Sequence, residues 1–220
     1  MKNTIAIIHT TPVTIEPLTQ LAKEVVLDCE IINIMDDSIL SQIKANDGRV
    51  KDVTERLIQY AVQAERAGAD IVLNACSSVG SVVQHIRKYV SVPVVRIDEA
   101  MAEEAVKRGT NIGVAATLST TLTPTLELLK EKAGPENKTF TSELASKAYD
   151  YLMEGDKEKH DAELTALLGR MAEELDVVVL AQASMARVVK ELPDRTQKQF
   201  LSSPEAGMKR VKAELERVNA

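Results

Sequence analysis

Tryptophan is absent from this 220-residue chain, and there are only two phenylalanines and four tyrosines. So few rings leave little on which nucleic-acid bases could stack. The formal charge of −6, from 33 acidic and 27 basic residues, likewise argues against a nucleic acid or an anionic membrane as partner. Basic residues are scattered through helical stretches such as Lys157 to Arg170 rather than gathered into a block. A small anion stays compatible, because loop amides bind one without net positive charge. Cysteine is sparse as well. Cys29 and Cys76 cannot build a disulfide framework, and with histidines at 9, 85 and 160 they show no metal-ligand spacing, so no metal is expected. Neither a glycine-rich phosphate loop nor a dinucleotide fingerprint occurs, Gly80 standing alone, and no cofactor is expected. The apolar runs are too short to span a bilayer. Met1-Lys2-Asn3 leads straight into the short run Ile5 to Ile8 without the core of a signal peptide, so a cytoplasmic protein is expected.

What the chain does have is strands alternating with helices. The stretch from Ala69 to Leu73, broken only by Asp70, reads as a buried strand that empties into the polar turn Asn74-Ala75-Cys76-Ser77-Ser78. A helix is expected from Val79 to Tyr89. A thiol at such a junction lies near unpaired amides and the positive end of a helix dipole, which favour thiolate, and Cys76 is therefore a candidate nucleophile or base. Further strands are expected at Thr4 to Ile8, Glu30 to Met35, Val92 to Arg96, Asn111 to Ala116, 138 to 144 and Asp176 to Leu180. Helices are expected from Thr14, as cap, to Leu27, across 50 to 67 with Gly68 as the stop, from Asp98 to near Gly109, after the loop 117 to 121 as far as Ala133, over 157 to 174, and from Glu205 to Val218. Cys29 reads as a packed structural thiol, His85 as packing or surface, and His160 as a solvent-facing residue.

Two pairs of segments repeat at a spacing of about 107 residues. Ile5 to Thr10 parallels Ile112 to Thr117, and Thr14-Ile15-Glu16-Pro17 parallels Thr121-Leu122-Thr123-Pro124. At one residue less, Asp70 to Leu73 falls on Asp176 to Val179, and Ala75-Cys76-Ser77-Ser78 on Ala181-Gln182-Ala183-Ser184. The reading is an α/β protein of two similar lobes, with parallel sheets flanked by helices and related by a pseudo-twofold axis. Residues 1–96 with 204–220 form the lobe of the Cys76 turn, and residues 97–203 that of the Gln182 turn. Ligands of parallel sheets bind beyond the carboxyl ends of the strands. An active-site cleft between the lobes would therefore gather the loops His9 to Val13, Asn74 to Ser78, Thr117 to Thr121 and Ala181 to Met185.

Asn74-Ala75-Cys76-Ser77-Ser78-Val79-Gly80, Ile97-Asp98-Glu99-Ala100-Met101, Gly113 to Thr117 with Thr121 and Pro124, and Val179 to Met185 resemble the aspartate/glutamate racemase superfamily, which includes hydantoin racemases, maleate isomerases and arylmalonate decarboxylases. The resemblance implies two cysteines, one from each lobe, on opposite faces of the substrate's α-carbon. The first matches Cys76. The second falls on Gln182, and glutamine is neither acid nor base near neutral pH, so the chain departs from the two-thiol pattern. Single-cysteine members of the superfamily resemble it in this.

The resemblance thus implies a cofactor-independent isomerase acting on a small carboxylic acid through Cys76, by cis–trans isomerisation or one-sided proton transfer. Ser77, Ser78, Thr117 and Ser184 would bind the carboxylate and stabilise enolate-like charge, with Thr10, Thr11, Asn74, Ser119, Thr120 and Ala183 as further substrate contacts. His9 is placed with Cys76 as a partner that holds a thiolate or shuttles its proton, or else as mere packing, and Gln182 as an amide donor to the substrate. A decarboxylase or other carbon–carbon lyase of the same fold, and a binding protein that kept the site without turnover, are the alternatives. The expected partners are a small carboxylate and further copies of the chain, as a dimer or higher homo-oligomer.

Overall fold

A computed structural model describes residues 2–218. The chain divides into two compact units, one holding the residues up to Asp98 and from Pro204 onward, the other Glu99–Ser203. In the first unit the order is β1 (Asn3–His9), a 3-10 turn (Pro12–Thr14), α1 (Ile15–Val25), β2 (Cys29–Met35), α2 (Ser38–Ala45), α3 (Lys51–Arg66), β3 (Ile71–Asn74), a second 3-10 segment (Ser77–Val82), α4 (Val83–Ile86) and β4 (Val94–Arg96). Its sheet is parallel throughout, ordered β2-β1-β3-β4. Alternation along β1 sorts its side chains between two helix layers. Ile5 and Ile7 pack with Leu18 and Ala22 of α1, whereas Ala6 and Ile8 pack with Ile39, Leu57, Ala61 and Ile86 on the other face. Val53, Leu57, Ile58, Ala61 and Ala64 form the buried stripe of α3, and Gly68, at φ +91°, ends that helix in the left-handed conformation that glycine adopts without strain.

The second unit repeats this plan. It runs α5 (Glu99–Arg108), β5 (Asn111–Ala116), α6 (Ser119–Ala133), β6 (Thr139–Leu144), α7 (Ser146–Met153), α8 (Lys157–Glu174), β7 (Val177–Leu180), a 3-10 turn (Ala183–Met185), α9 (Ala186–Val189), α10 (Asp194–Gln197) and β8 (Phe200–Ser202). The sheet order β6-β5-β7-β8 is again all parallel and equivalent to the first. The last helix, α11 (Ser203–Val218), returns to the first unit, where Met208, Val211 and Leu215 join the α1 layer.

The repeated aspartate has the same job in both units. The Asp70 carboxylate accepts the Thr4 amide at 2.7 Å, and the Asp176 carboxylate accepts the Thr110 and Asn111 amides, each at 2.8 Å. Each carboxylate precedes an inner strand and fastens the start of its neighbour, supplying an acceptor for amides that the sheet ladder does not reach.

Several elements depart from the sequence expectation. The helix expected over Val79 to Tyr89 is instead a 3-10 segment kinked at Val79 (φ −115°, ψ 16°), followed by the four-residue α4. Ser119 and Thr120 belong to the first turn of α6 rather than to a loop. Thr14 precedes α1 but its hydroxyl does not cap it, being engaged with His9 and the Thr11 carbonyl. His160 is buried, not solvated, because α7 and α8 pack as a hairpin and its Nδ1 donates to the Ala148 carbonyl at 2.7 Å. Helices α2 and α7 and strand β8 were not foreseen. The first of these is held by a tertiary contact: Asp36 accepts from the Ser38 amide and hydroxyl, Arg56 and Tyr60.

The amides of Asn111 and Thr110 lower the pKa of Asp176 below the ordinary carboxylate value. A depressed carboxylate contributes stability that is fully present above the unfolded-state pKa of about 4 and lost as pH falls through the folded value. Urea unfolding followed from pH 7 to pH 3 should therefore show Asp176→Asn less stable than wild type at pH 7, with the gap closing on acidification. A gap independent of pH would contradict this role.

Candidate active site

Cys76 sits two residues beyond β3, immediately before the 3-10 segment Ser77–Val82. Its side chain packs against the same core layer as Ala6, Ile8 and Val72. Burial is the largest influence on the thiol and pushes its pKa up. Opposing this are the Thr10 hydroxyl, the Ser78 and Val79 amides and the Ser78 hydroxyl, all of which favour the thiolate. The expected amides are thus present, but partial loss of water outweighs them, and the thiol, itself half-buried, is pushed toward its protonated form. Asn74 braces the turn by donating from Nδ2 to the Cys76 carbonyl at 3.1 Å, while its buried Oδ1 has no hydrogen-bond partner.

The parity of β1 decides which residue reaches the sulfur. His9 follows Ile5 and Ile7 onto the α1 face, and Thr10 follows Ala6 and Ile8 onto the face of Cys76. The expected His9–Cys76 contact is accordingly not made. His9 is fully buried, with Nε2 2.9 Å from Asn33 Oδ1 and Nδ1 2.8 Å from Thr14 Oγ1. Burial lowers its pKa, the Asn33 bond only partly offsetting this, so the ring is neutral. Nε2 faces Asn33 Oδ1, and Nδ1 faces Thr14 Oγ1, whose hydroxyl donates to the Thr11 carbonyl at 3.1 Å. Thr10, which the sequence placed among substrate contacts, is the side chain just beyond β1 that meets the thiol.

Of the other candidates in this unit, Ser78 is buried against Cys76, Ser77 and Thr11 are half-buried, and Ser77 has the more open position in the turn. A groove along α3 and α4, lined by Val50, Ile58, Val82, His85 and Tyr89, does not include Cys76. Cys29 is buried in the α1 layer, its Sγ donating to the Ala22 carbonyl at 3.7 Å, and burial raises its pKa too.

In the second unit the position matching Cys76 holds Gln182, at the corresponding place beyond β7. Its Oε1 accepts the Thr117 amide at 2.9 Å and its Nε2 donates to Thr117 Oγ1, also at 2.9 Å. Thr10 and Thr117 are repeat-equivalent, so each unit pairs a threonine after its first strand with the residue after its third. Thr117 is buried, whereas Ala183, Ser184 and Ser119 are exposed and Thr120 is half-buried. The Gln182–Thr117 lock and a buried pair formed by Arg96 and Asp98 were not read from the sequence. The first could have been found from the repeat, by asking what Thr10 and Thr117 each face. Among the described residues no three His, Cys, Asp or Glu side chains gather as metal ligands.

Limiting iodoacetamide should label Cys76 before Cys29, with a rate that rises with pH through and above neutrality. Thr10→Val removes one of the donors that favour thiolate and should slow labelling of Cys76 at pH 8 by about three- to tenfold. Peptide mapping of the adducts reads both effects, and faster labelling of Cys29 would count against the site.

The fold recurs in solved structures of low sequence identity. An aspartate racemase homologue from Pyrococcus horikoshii shares 20% identity, with 98% of this chain and 100% of that one covered and a TM-score of 0.70. A glutamate racemase isoform from Bacillus anthracis shares 16% identity over 98% of this chain and 82% of its own, with a TM-score of 0.74. An allantoin racemase from Klebsiella pneumoniae shares 16% identity over 99% and 89%, with a TM-score of 0.72. No curated protein matches the chain by sequence. The family pattern of Asp/Glu/hydantoin racemases, however, matches residues 6–211, taking in both units, the Cys76 turn and the Gln182 turn. The chain belongs to the Asp/Glu/hydantoin racemase family.

Proposed function

We propose that this protein is a cofactor-independent isomerase of a small carboxylic acid in which Cys76 is the only thiol that takes part in the reaction. The observation that carries this reading is the contrast between the two repeat positions. Cys76 is a titratable group surrounded by four donors, while Gln182 is an amide already committed to Thr117. Racemisation by two acid/base groups needs one on each face of the reacting carbon, and glutamine cannot serve. One-sided work remains. A thiol held protonated is suited to give its proton to an enolate-like carbon left by bond cleavage, the lyase alternative, and the donors from Thr10, Ser78 and Val79 stabilise the thiolate left behind. The thiol can also add across an activated double bond, sulfur bonding to one carbon while its proton passes to the other; rotation about the resulting single bond, then elimination that breaks the C–S bond and returns the proton to sulfur, converts a cis unsaturated acid to its trans isomer. The half-buried Ser77, in the same turn as Cys76, provides a hydroxyl toward a carboxylate.

Incubation in heavy water with each enantiomer of aspartate, glutamate and simple hydantoins, and with maleate as a cis unsaturated diacid, tests this. The expected result is no inversion with deuterium incorporation from either amino-acid enantiomer, and isomerisation of an unsaturated acid that disappears in Cys76→Ala. Inversion with deuterium uptake from both enantiomers, abolished in Cys76→Ala, would establish a second base and overturn the one-cysteine mechanism. Release of carbon dioxide or another fragment would move the protein to the lyases.

A further inference from the structure

Beneath the thiol turn lies an ion pair that no step above uses. Arg96, the last residue of β4, points to the same face of the sheet as Val94, which packs in the layer shared with Cys76. Its Nε donates to Asp98 Oδ1 at 2.6 Å and its Nη2 to Asp98 Oδ2 at 3.0 Å, a two-point contact with side-chain exposures of 8% and 0%. Burying such a pair is costly and by itself adds little or nothing to stability, so its presence at this spot asks for another role.

The guanidinium also touches the turn. A Cβ built on Gly80 would lie 2.2 Å from Arg96 Nε and 2.4 Å from Cζ, so the Gly80 backbone rests directly against the guanidinium group. Gly80 follows Val79, the one residue of the 3-10 segment with non-helical angles. The Val79 amide in turn is one of the groups that favour the Cys76 thiolate, and it also reaches the Cys76 carbonyl at 3.3 Å. A chain of contacts therefore runs from Asp98 through Arg96 and Gly80 to the kink at Val79, whose amide lies beside Cys76. We infer that Arg96 and Asp98 are positioning residues for Cys76: their buried pair is a rigid seat that holds Gly80, and through it the Val79 amide, in the geometry that stabilises the thiolate.

The importance of this seat for turnover rests on the function proposed above, but its test does not, because the thiol is read directly and no substrate is used. The pH profile of Cys76 alkylation is measured by peptide mapping, alongside the melting temperature, in wild type, Gly80→Ala and Arg96→Lys. Lysine keeps the charge opposite Asp98 but lacks the planar, two-point contact. Both variants should shift the alkylation profile to higher pH, slowing Cys76 at pH 8 by about tenfold, as expected for loss of a hydrogen bond to a charged sulfur. Cys29, in the other core layer, should label as in wild type. If Gly80→Ala does not fold, Arg96→Lys alone decides the matter. Profiles that stay at the wild-type position while the melting temperature falls would make the pair merely structural and overturn the inference.

Discussion

The site is governed by competition at one sulfur atom between loss of water and recovery of hydrogen bonds. Removing a thiol from solvent penalises its charged form, and the surrounding donors from Thr10, Ser78 and Val79 repay only part of that penalty. The elements of the first unit can be understood from this balance. β1 must end so that Thr10, not His9, faces the sulfur. β3 must break into a tight 3-10 turn so that two successive amides converge. β4 must end in a residue that supports the turn from below.

The duplicated sequence puts a second solution of the same problem in the same chain. Both units place a threonine after the first strand opposite the residue that follows the third, and both use an aspartate before that third strand to fasten its neighbour. At one position the result is an ionisable group with unspent hydrogen-bonding support. At the other it is a neutral amide whose carbonyl and one N–H are both engaged with Thr117. Chemical asymmetry therefore arises from one side chain on a nearly symmetric backbone plan. Membership of the racemase family and a glutamine at the second repeat position therefore occur in one chain.

Much of the fold was legible because it depends on short-range patterns. Apolar runs gave β1, β3, β5 and β7, the stripe from Val53 to Ala64 gave α3, and the spacing of Asp70 to Asp176 exposed the repeat. Less legible were elements whose support is tertiary. Helix α2 depends on Asp36 meeting Arg56 and Tyr60, β8 on pairing with β7, and the burial of His160 on the packing of α7 against α8. At the site, the sequence pointed to Cys76 and left His9 open between the thiol and packing; packing holds, because His9 lies on the face opposite the sulfur, bonded to Asn33 and Thr14. Strict alternation from Ile5 would have assigned Thr10 instead. The dominance of burial over the local amides could not be read either, since Cys76 packs on a core layer to which α2 and α3, distant in sequence, contribute.

On the proposed function, Cys76 is a thiol at rest, supported as a thiolate only when it has given up its proton. The most direct measurement is the ultraviolet absorbance of the thiolate across a pH titration of Cys29→Ser, in which Cys76 is the sole cysteine. A single transition with its midpoint above the ordinary thiol value of about 8.5 is predicted. A midpoint below neutrality would mean that the amides and hydroxyls prevail over burial, and would contradict the assignment of Cys76 as a resting proton donor.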